Sequence, residues 1–373
     1  MGRGFKETIK TVLREIILPA AYSLHKKKHK DRLVIFSDCH NESCPYSMRY
    51  LYDMAKKTKG IEVCGIFHDY SKGSFYSLRC ALDFMKVYGR AAAVVICDNH
   101  LPVASAKKDS ETFVVQLWHS GGAFKKFGYD SEINIPSSYR GGNVFSNYDL
   151  VTVSAEYAIA PFVSAMRQDS EKVRAIGTSR SDYMFDEAYK ERIRKKFYDE
   201  DESRRGKKII LYAPTFRGSA GDTYEKGFSD IEEAARGLGG DFCVIKKPHP
   251  HDRHRDRNAD SALSSEELLV VCDLLITDYS SIIYDYSLLG GPMLLYVPDY
   301  DDYSLSNGFY EDFDSIPGIR VFTKERLKDS IYEALSGKAD AAAAMMSFAD
   351  RTMAACDGTS SERILNEILD KIL

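Results

Sequence analysis

The chain has 373 residues, with 51 Lys and Arg against 55 Asp and Glu, for a formal net charge of −4. Its 44% apolar and 28% charged fractions exclude wholesale disorder, collagen-like repetition and a small disulfide-stapled scaffold. The length suggests about two domains, and no apolar run approaches the ~18 residues that cross a bilayer as a helix.

The first 32 residues carry nine Lys or Arg and three Asp or Glu, a net of +6 that leaves −10 for the rest. Phe5, Ile9, Val12, Leu13, Ile16 and Ala20 recur at helical spacing, with Lys6, Lys10 and Arg14 on another face. Pro19 is expected to bend or end this helix, and the cluster Lys26-Lys27-Lys28 follows it. The short, charge-interrupted apolar stretch does not read as a cleaved signal peptide. An interfacial helix on an anionic cytoplasmic leaflet is one reading, and a helix packed on the protein body is the other.

From residue 32 onward, short β-branched runs alternate with amphipathic stretches. Strands are predicted at 33–37, 62–67, 92–97, 113–118, 150–153 and 172–176, with helices at 45–57, 77–88 and 155–166. A second series of strands follows at 208–213, 241–246, 274–277, 293–297 and 320–322. A charge-dense helix over 187–205 separates the two series and reads as a connector. Two βα series imply an α/β chain of two doubly wound domains. The expected division is a basic segment 1–30, a domain 31–186, a connector 187–205 and a domain 206–373. Ligands of such sheets bind at the carboxyl ends of strands, so chemistry is sought there. Eight cysteines without a CxxC pair, several inside apolar runs, read as reduced thiols; neither a zinc site nor another metal centre is expected.

Three segments follow predicted strands and carry reactive side chains. In the first, His119 precedes Gly121, Gly122 and Lys125; the glycines would admit an anion to the backbone and the histidine could act as a base. The second is Lys246-Lys247-Pro-His249, whose histidine stands between two prolines; His251, His254, Arg255 and Arg257 read as a solvated basic loop. The third runs Asp278-Tyr-Ser280-Ser281, with Ser280 as the expected N-cap of a helix and both serines as a pyrophosphate cradle. Thr215 and Arg217, after the first strand of the second series, could meet a substrate phosphate. An Asp-x-Asp at Asp299–Asp301 is assigned to a turn.

Together the stretches WHSGGAFKKFG, AIGTSRSDYMF, ILYAPTFRG, KKPHP, LLITDYSSIIYDY and NGFYEDF resemble the CDP-glycerol glycerophosphotransferases, the teichoic acid primases and polymerases. They span Trp118 to Phe313 in family order. The resemblance implies a GT-B-like fold, two Rossmann-like domains facing a central cleft, the first for the acceptor and the second for the CDP donor. It implies transfer of glycerol phosphate from CDP-glycerol to a polyprenyl-linked glycan at the cytoplasmic face of the membrane. His119 and His249 take the positions of the family's two catalytic histidines, Ser280 and Ser281 those of its phosphate-binding residues. Arg180 and Asp182 match an Arg-x-Asp, and Asn307 stands where the family tends to have arginine, a task that could pass to Arg217 or Lys246. The glycine-paired loop after His119 and the chain length lean towards the primase branch and single addition. No cofactor and no nucleic-acid partner is implied. A polymerase, a CDP-ribitol-dependent or capsule polyol-phosphate transferase, a nucleotide-sugar glycosyltransferase and a non-catalytic membrane assembly factor are the competing readings.

Overall fold

The protein is described by a computed structural model covering residues 8, 10–131, 135, 142–215, 217–219, 222–224, 227–247 and 260–373, with backbone alone at 217–219, 222–224 and 304–307. Its residues form two compact units. The first comprises Met1–Gly121, Phe127–Asp182 and Ala354–Leu373; the second comprises Gly122–Lys126 and Tyr183–Met353. The expected boundary after residue 186 lies four residues from the observed one. Two assignments differ: residues 354–373 belong to the first unit, and the helix Glu187–Glu200 belongs to the second. The physical reasons are plain. Ile364, Leu365 and Ile368 complete the core on one face of the first sheet. Tyr189, Ile193 and Phe197 form a buried stripe at helical spacing on Glu187–Glu200.

The first unit holds a six-stranded parallel sheet. Its strands are β1 (Asp31–Asp38), β2 (Glu62–Phe67), β3 (Ala91–Ile96), β4 (Phe113–Gln116), β5 (Leu150–Thr152) and β6 (Val173–Arg174), in the order β2-β1-β3-β4-β5-β6. Every residue of β3 is buried, as a strand covered on both faces requires. Val34 and Phe36, Ala93 and Val95, and Val115 point to the face that Met48, Leu51 and the last helix cover.

The amino-terminal helix runs through Pro19 instead of ending there. A π-helical turn, Leu13–Ile17, leads into the α-helix Leu18–His25, and the Leu18 N–H reaches back to the Leu13 carbonyl. The wide turn accommodates a residue that has no N–H for the ordinary ladder. Leu18 and Tyr22 are buried, and the Tyr22 ring lies 4.9 Å from that of Tyr88 on the helix Ser74–Tyr88. Val12, Ile16 and Leu24 are 41%, 62% and 82% exposed, an apolar row facing away from the body. Phe5 and Ile9 of the predicted stripe lie outside the described residues. No helix among the described residues is long and apolar enough to cross a membrane.

The second unit contains β7 (Lys208–Tyr212), β8 (Arg217–Ser219), β9 (Asp222–Tyr224), β10 (Phe242–Lys246), β11 (Leu274–Thr277), β12 (Met293–Tyr296) and β13 (Ile319–Val321). Five of them form a parallel sheet ordered β10-β7-β11-β12-β13, and β8 and β9 make a separate antiparallel hairpin that the sequence reading did not anticipate. Ile210, Tyr212, Leu274, Ile276 and Leu294 pack against Ile231, Leu327 and Ile331 on one face. Asp299 lies in the expected turn, whereas Asp301 and Asp302 open the helix Tyr300–Asn307, which corrects the expectation for the second aspartate of the motif.

All eight cysteines are free; Cys39, Cys80, Cys97 and Cys356 are buried and the other four partly so. Burial pushes the Cys44 and Cys272 thiols up to about 12.

Candidate active site

In the first unit the strand order reverses between β1 and β3, and the residues just beyond β1, β3 and β4 crowd that end of the sheet. Gln116, the last residue of β4, is fully buried. Its Nε2 donates to the Asp98 carbonyl at 3.2 Å and its Oε1 accepts the Trp118 N–H at 2.9 Å. Trp118 takes the left-handed conformation, φ 58°, unusual for a bulky residue and costing roughly 1–2 kcal/mol. Its buried ring sits 4.8 Å from the Phe127 ring, which holds the residue in that conformation.

The turn places His119 with its ring stacked on Trp118, centroids 4.5 Å apart, and half exposed. The buried Arg180 guanidinium donates to the His119 carbonyl, and to Ser47 Oγ at 3.3 Å, and lies over the Tyr46 ring. Arg180 therefore fixes the backbone that carries the histidine. Asp182 does something else. It accepts the Ser360 and Ser361 N–H groups at 3.1 and 2.7 Å, anchoring the start of the helix Ser360–Ile372, and burial raises its pKa. The glycine preceding this Arg-x-Asp has a steric reason: at φ 88°, a Cβ on Gly177 would stand 2.4 Å from the Ala355 carbonyl.

The second unit's sheet reverses order between β7 and β11. There the Thr215 N–H donates to Asp278 Oδ1 at 2.8 Å, and Thr277 Oγ1 donates to the Ala213 carbonyl at 2.7 Å. Ser281, not Ser280, is the N-cap residue of the short helix Ile282–Ser287, and it makes no side-chain capping bond. Ser280 Oγ accepts the Ile282 N–H at a long 3.4 Å. Capping thus engages one serine weakly and the other not at all.

The loop after His119 enters the second unit at Gly122. There it forms an antiparallel pairing: Lys126 N–H donates to the Gly308 carbonyl at 3.1 Å, and Tyr310 N–H to the Phe124 carbonyl at 2.8 Å. Phe124 stacks on Phe309 at 5.1 Å, and Tyr279 stacks face to face on Tyr303 at 3.8 Å. Lys125 Nζ lies 3.4 Å from the Tyr303 hydroxyl, and the Tyr279 hydroxyl donates to Asp299 at 3.3 Å. Glu311 accepts from Arg351 at 2.6 Å. These contacts explain why AFKK, TDYSS and NGFYEDF occur together. Gly121 and Gly122 are buried.

Lys246 is turned to other work. Its Nζ donates to Glu232 Oε1 at 2.5 Å and its N–H to Asp260 at 2.9 Å. The side chains of Arg217 and Asn307, and all of His249, His251, His254, Arg255 and Arg257, lie outside the described residues. Sequence reasoning passed over Asp98, His40, Gln116, Tyr279 and Tyr303. For Asp98 a signal existed, since it directly follows the apolar run 91–97.

Two parallel α/β sheets with Thr, Ser, Asp and His side chains at their strand ends define an enzyme of GT-B-like fold. The chain belongs to the CDP-glycerol:poly(glycerophosphate) glycerophosphotransferase family, whose sequence model matches residues 20–370. It is 32% identical over 359 residues to a teichoic acid ribitol-phosphate primase of Bacillus spizizenii, covering 90% of each chain. To a teichoic acid glycerol-phosphate primase of Bacillus subtilis it is 31% identical over 292 residues, covering 74% of this chain and 73% of the relative. Among solved structures it resembles a variant of the wall teichoic acid polymerase TagF, with a TM-score of 0.78 over 100% of this chain and 99% of that one. At 20% identity that likeness is one of fold.

Proposed function

We propose that the protein transfers a polyol phosphate from a CDP-polyol to a hydroxyl of a polyprenyl-linked glycan. The acceptor oxygen forms the new bond to phosphorus, the bond to the CMP oxygen breaks, and the acceptor proton passes to a base. The observation that carries this reading is His119, its backbone clamped by buried Arg180 and its ring open at the end of β4. His119 acts as the base. Ser280, Ser281 and Thr215, with His249, hold and neutralise the donor's phosphates. The two histidines could exchange roles.

The polyol is glycerol or ribitol. The family description names glycerol, whereas the relative matched over 90% of both chains is named for ribitol. Single addition fits similarity to primases across most of their length. Attachment to an anionic membrane surface is supported by the exposed row Val12, Ile16 and Leu24 beside Lys26-Lys27-Lys28.

The test is incubation with CDP-glycerol, CDP-ribitol and UDP-sugars in the presence of a lipid-linked disaccharide. CMP release from one CDP-polyol, lowered on the order of 10² or more in His119→Ala, is the expected result. UDP release would make the protein a glycosyltransferase. Wild-type turnover in both His119→Ala and His249→Ala would remove these residues from the mechanism, and absence of any turnover would favour an assembly factor. Mass spectrometry of the lipid should show one added unit; a ladder would mean a polymerase.

A further inference from the structure

The strand end that carries His119 also holds a carboxylate. Asp98 Oδ2 lies 3.4 Å from His119 Nδ1. The same oxygen lies 4.0 Å from Nε2 of His40, which follows β1. Three loops, after β1, β3 and β4, therefore bring one carboxylate and two imidazoles together.

The carboxylate is held on several sides. Its other oxygen, Oδ1, accepts the Asn99 N–H at 2.6 Å. Its own backbone carbonyl accepts from Gln116 Nε2, and the oxygen of that same amide takes the Trp118 N–H. This pairing admits only one orientation of the Gln116 amide, because a carbonyl needs a donor and an N–H an acceptor. One buried side chain thus ties the backbone of Asp98 to that of Trp118, the residue on whose ring His119 stacks. The carboxylate and the imidazole are registered to each other through the sheet, not through a flexible surface loop. The separation of 3.4 Å is longer than a closed hydrogen bond, as is common before substrate draws a catalytic pair together.

We propose that Asp98 is the positioning residue of His119, an inference that rests on the transfer reaction above. Asp98 accepts the Nδ1 proton of His119. That fixes the neutral ring as the Nδ1–H tautomer and leaves the Nε2 lone pair to take the acceptor's proton. Once the proton is taken, the carboxylate faces the imidazolium it stabilises. The titratable and charged groups around the pair include His40, which shares Oδ2, Asp38, which accepts the His40 N–H at 2.8 Å, and Arg180, which engages the His119 carbonyl. The logic is that of base and orienting carboxylate in hydrolase triads, built here from the ends of two neighbouring strands.

The test joins kinetics to a spectroscopic readout that needs no turnover. In protein labelled with 15N-histidine, the His119 ring is assigned by its loss in His119→Gln. Wild type is expected to show the Nδ1–H tautomer. In Asp98→Asn the amide can donate to Nδ1, and the ring should move to the Nε2–H form. With the active CDP-polyol, Asp98→Asn should lose between about 10² and 10⁴ in kcat with KM within about threefold, and Asp98→Glu should recover part of the loss. An Nε2–H tautomer in the wild-type protein would overturn the proposal, even if neither variant folds. So would an unchanged tautomer in Asp98→Asn, or a kcat within about threefold of wild type. If no donor is turned over, the transfer reaction fails while the tautomer measurement still decides the Asp98–His119 link.

Discussion

Asp278 accepts the backbone N–H of Thr215 at 2.8 Å, tying the loop after β7 to the loop after β11 where the second sheet reverses its strand order. Asp278 is 3% and Thr215 4% exposed, so the bond is shielded from water. It sets the height at which Ser280 and Ser281 leave the sheet.

Replacing Asp278 by Ala should therefore act on stability as well as on binding. Loss of a buried, charge-assisted acceptor costs about 1–3 kcal/mol. The expected outcome is a lower denaturation midpoint together with weaker CDP binding by calorimetry. Unchanged stability would mean that the loop is held by other contacts.

The paired serines give a cleaner separation. Ser281 makes no capping bond and Ser280 only a long one, so Ser280→Ala with Ser281→Ala should leave stability within about 0.5 kcal/mol. Affinity for the CDP-polyol should fall by roughly 1–2 kcal/mol for each hydroxyl that meets phosphate. Equal loss of stability and affinity would show that the serines serve the helix alone.

The exposed row on the first helix predicts a surface phenotype. Ile16→Ser with Leu24→Ser should leave the melting temperature unchanged, because both side chains face away from the body. Co-flotation with anionic vesicles should drop sharply, and raising salt should weaken the binding of the unaltered protein. Vesicle binding that survives both changes would eliminate this face as the membrane contact.

His100 predicts a pH dependence. It is fully buried beside β1; its Nδ1 accepts the Val103 N–H at 3.3 Å, so Nε2–H donates to Ser37 Oγ at 2.8 Å. Burial pushes its pKa down from 6.5 to about 3. Between those values the unfolded chain binds one proton more than the folded one, so stability falls as pH drops from 6.5 towards 3. The slope from this group is about 1.4 kcal/mol per pH unit. The unfolding free energies of wild type and His100→Asn, from urea titrations at pH 7 and pH 5, should differ in their pH dependence by about 2 kcal/mol. Identical pH dependence would contradict the assignment.

The strands of the two parallel sheets, the two α/β series and the strand-end placement of His119, Thr215, Ser280 and Ser281 were legible in the sequence. Apolar runs of four to eight residues that break into Gly, Ser, Asp or His fit few structures other than buried parallel strands. The chemistry then falls at their carboxyl ends whatever the order of the sheet. The neighbours of those residues were not legible. Asp98 meets His119 because β3 and β4 are adjacent in the sheet, and Gly308–Tyr310 pairs with Phe124–Lys126 although 182 residues separate Lys126 from Gly308. The helix Ser360–Ile372 joins the first core rather than the second because its apolar stripe fits beside Met48 and Leu51. Residue periodicity reports which face of an element is buried, but not which element buries it; strand order and the contacts it permits are set only when the whole chain packs.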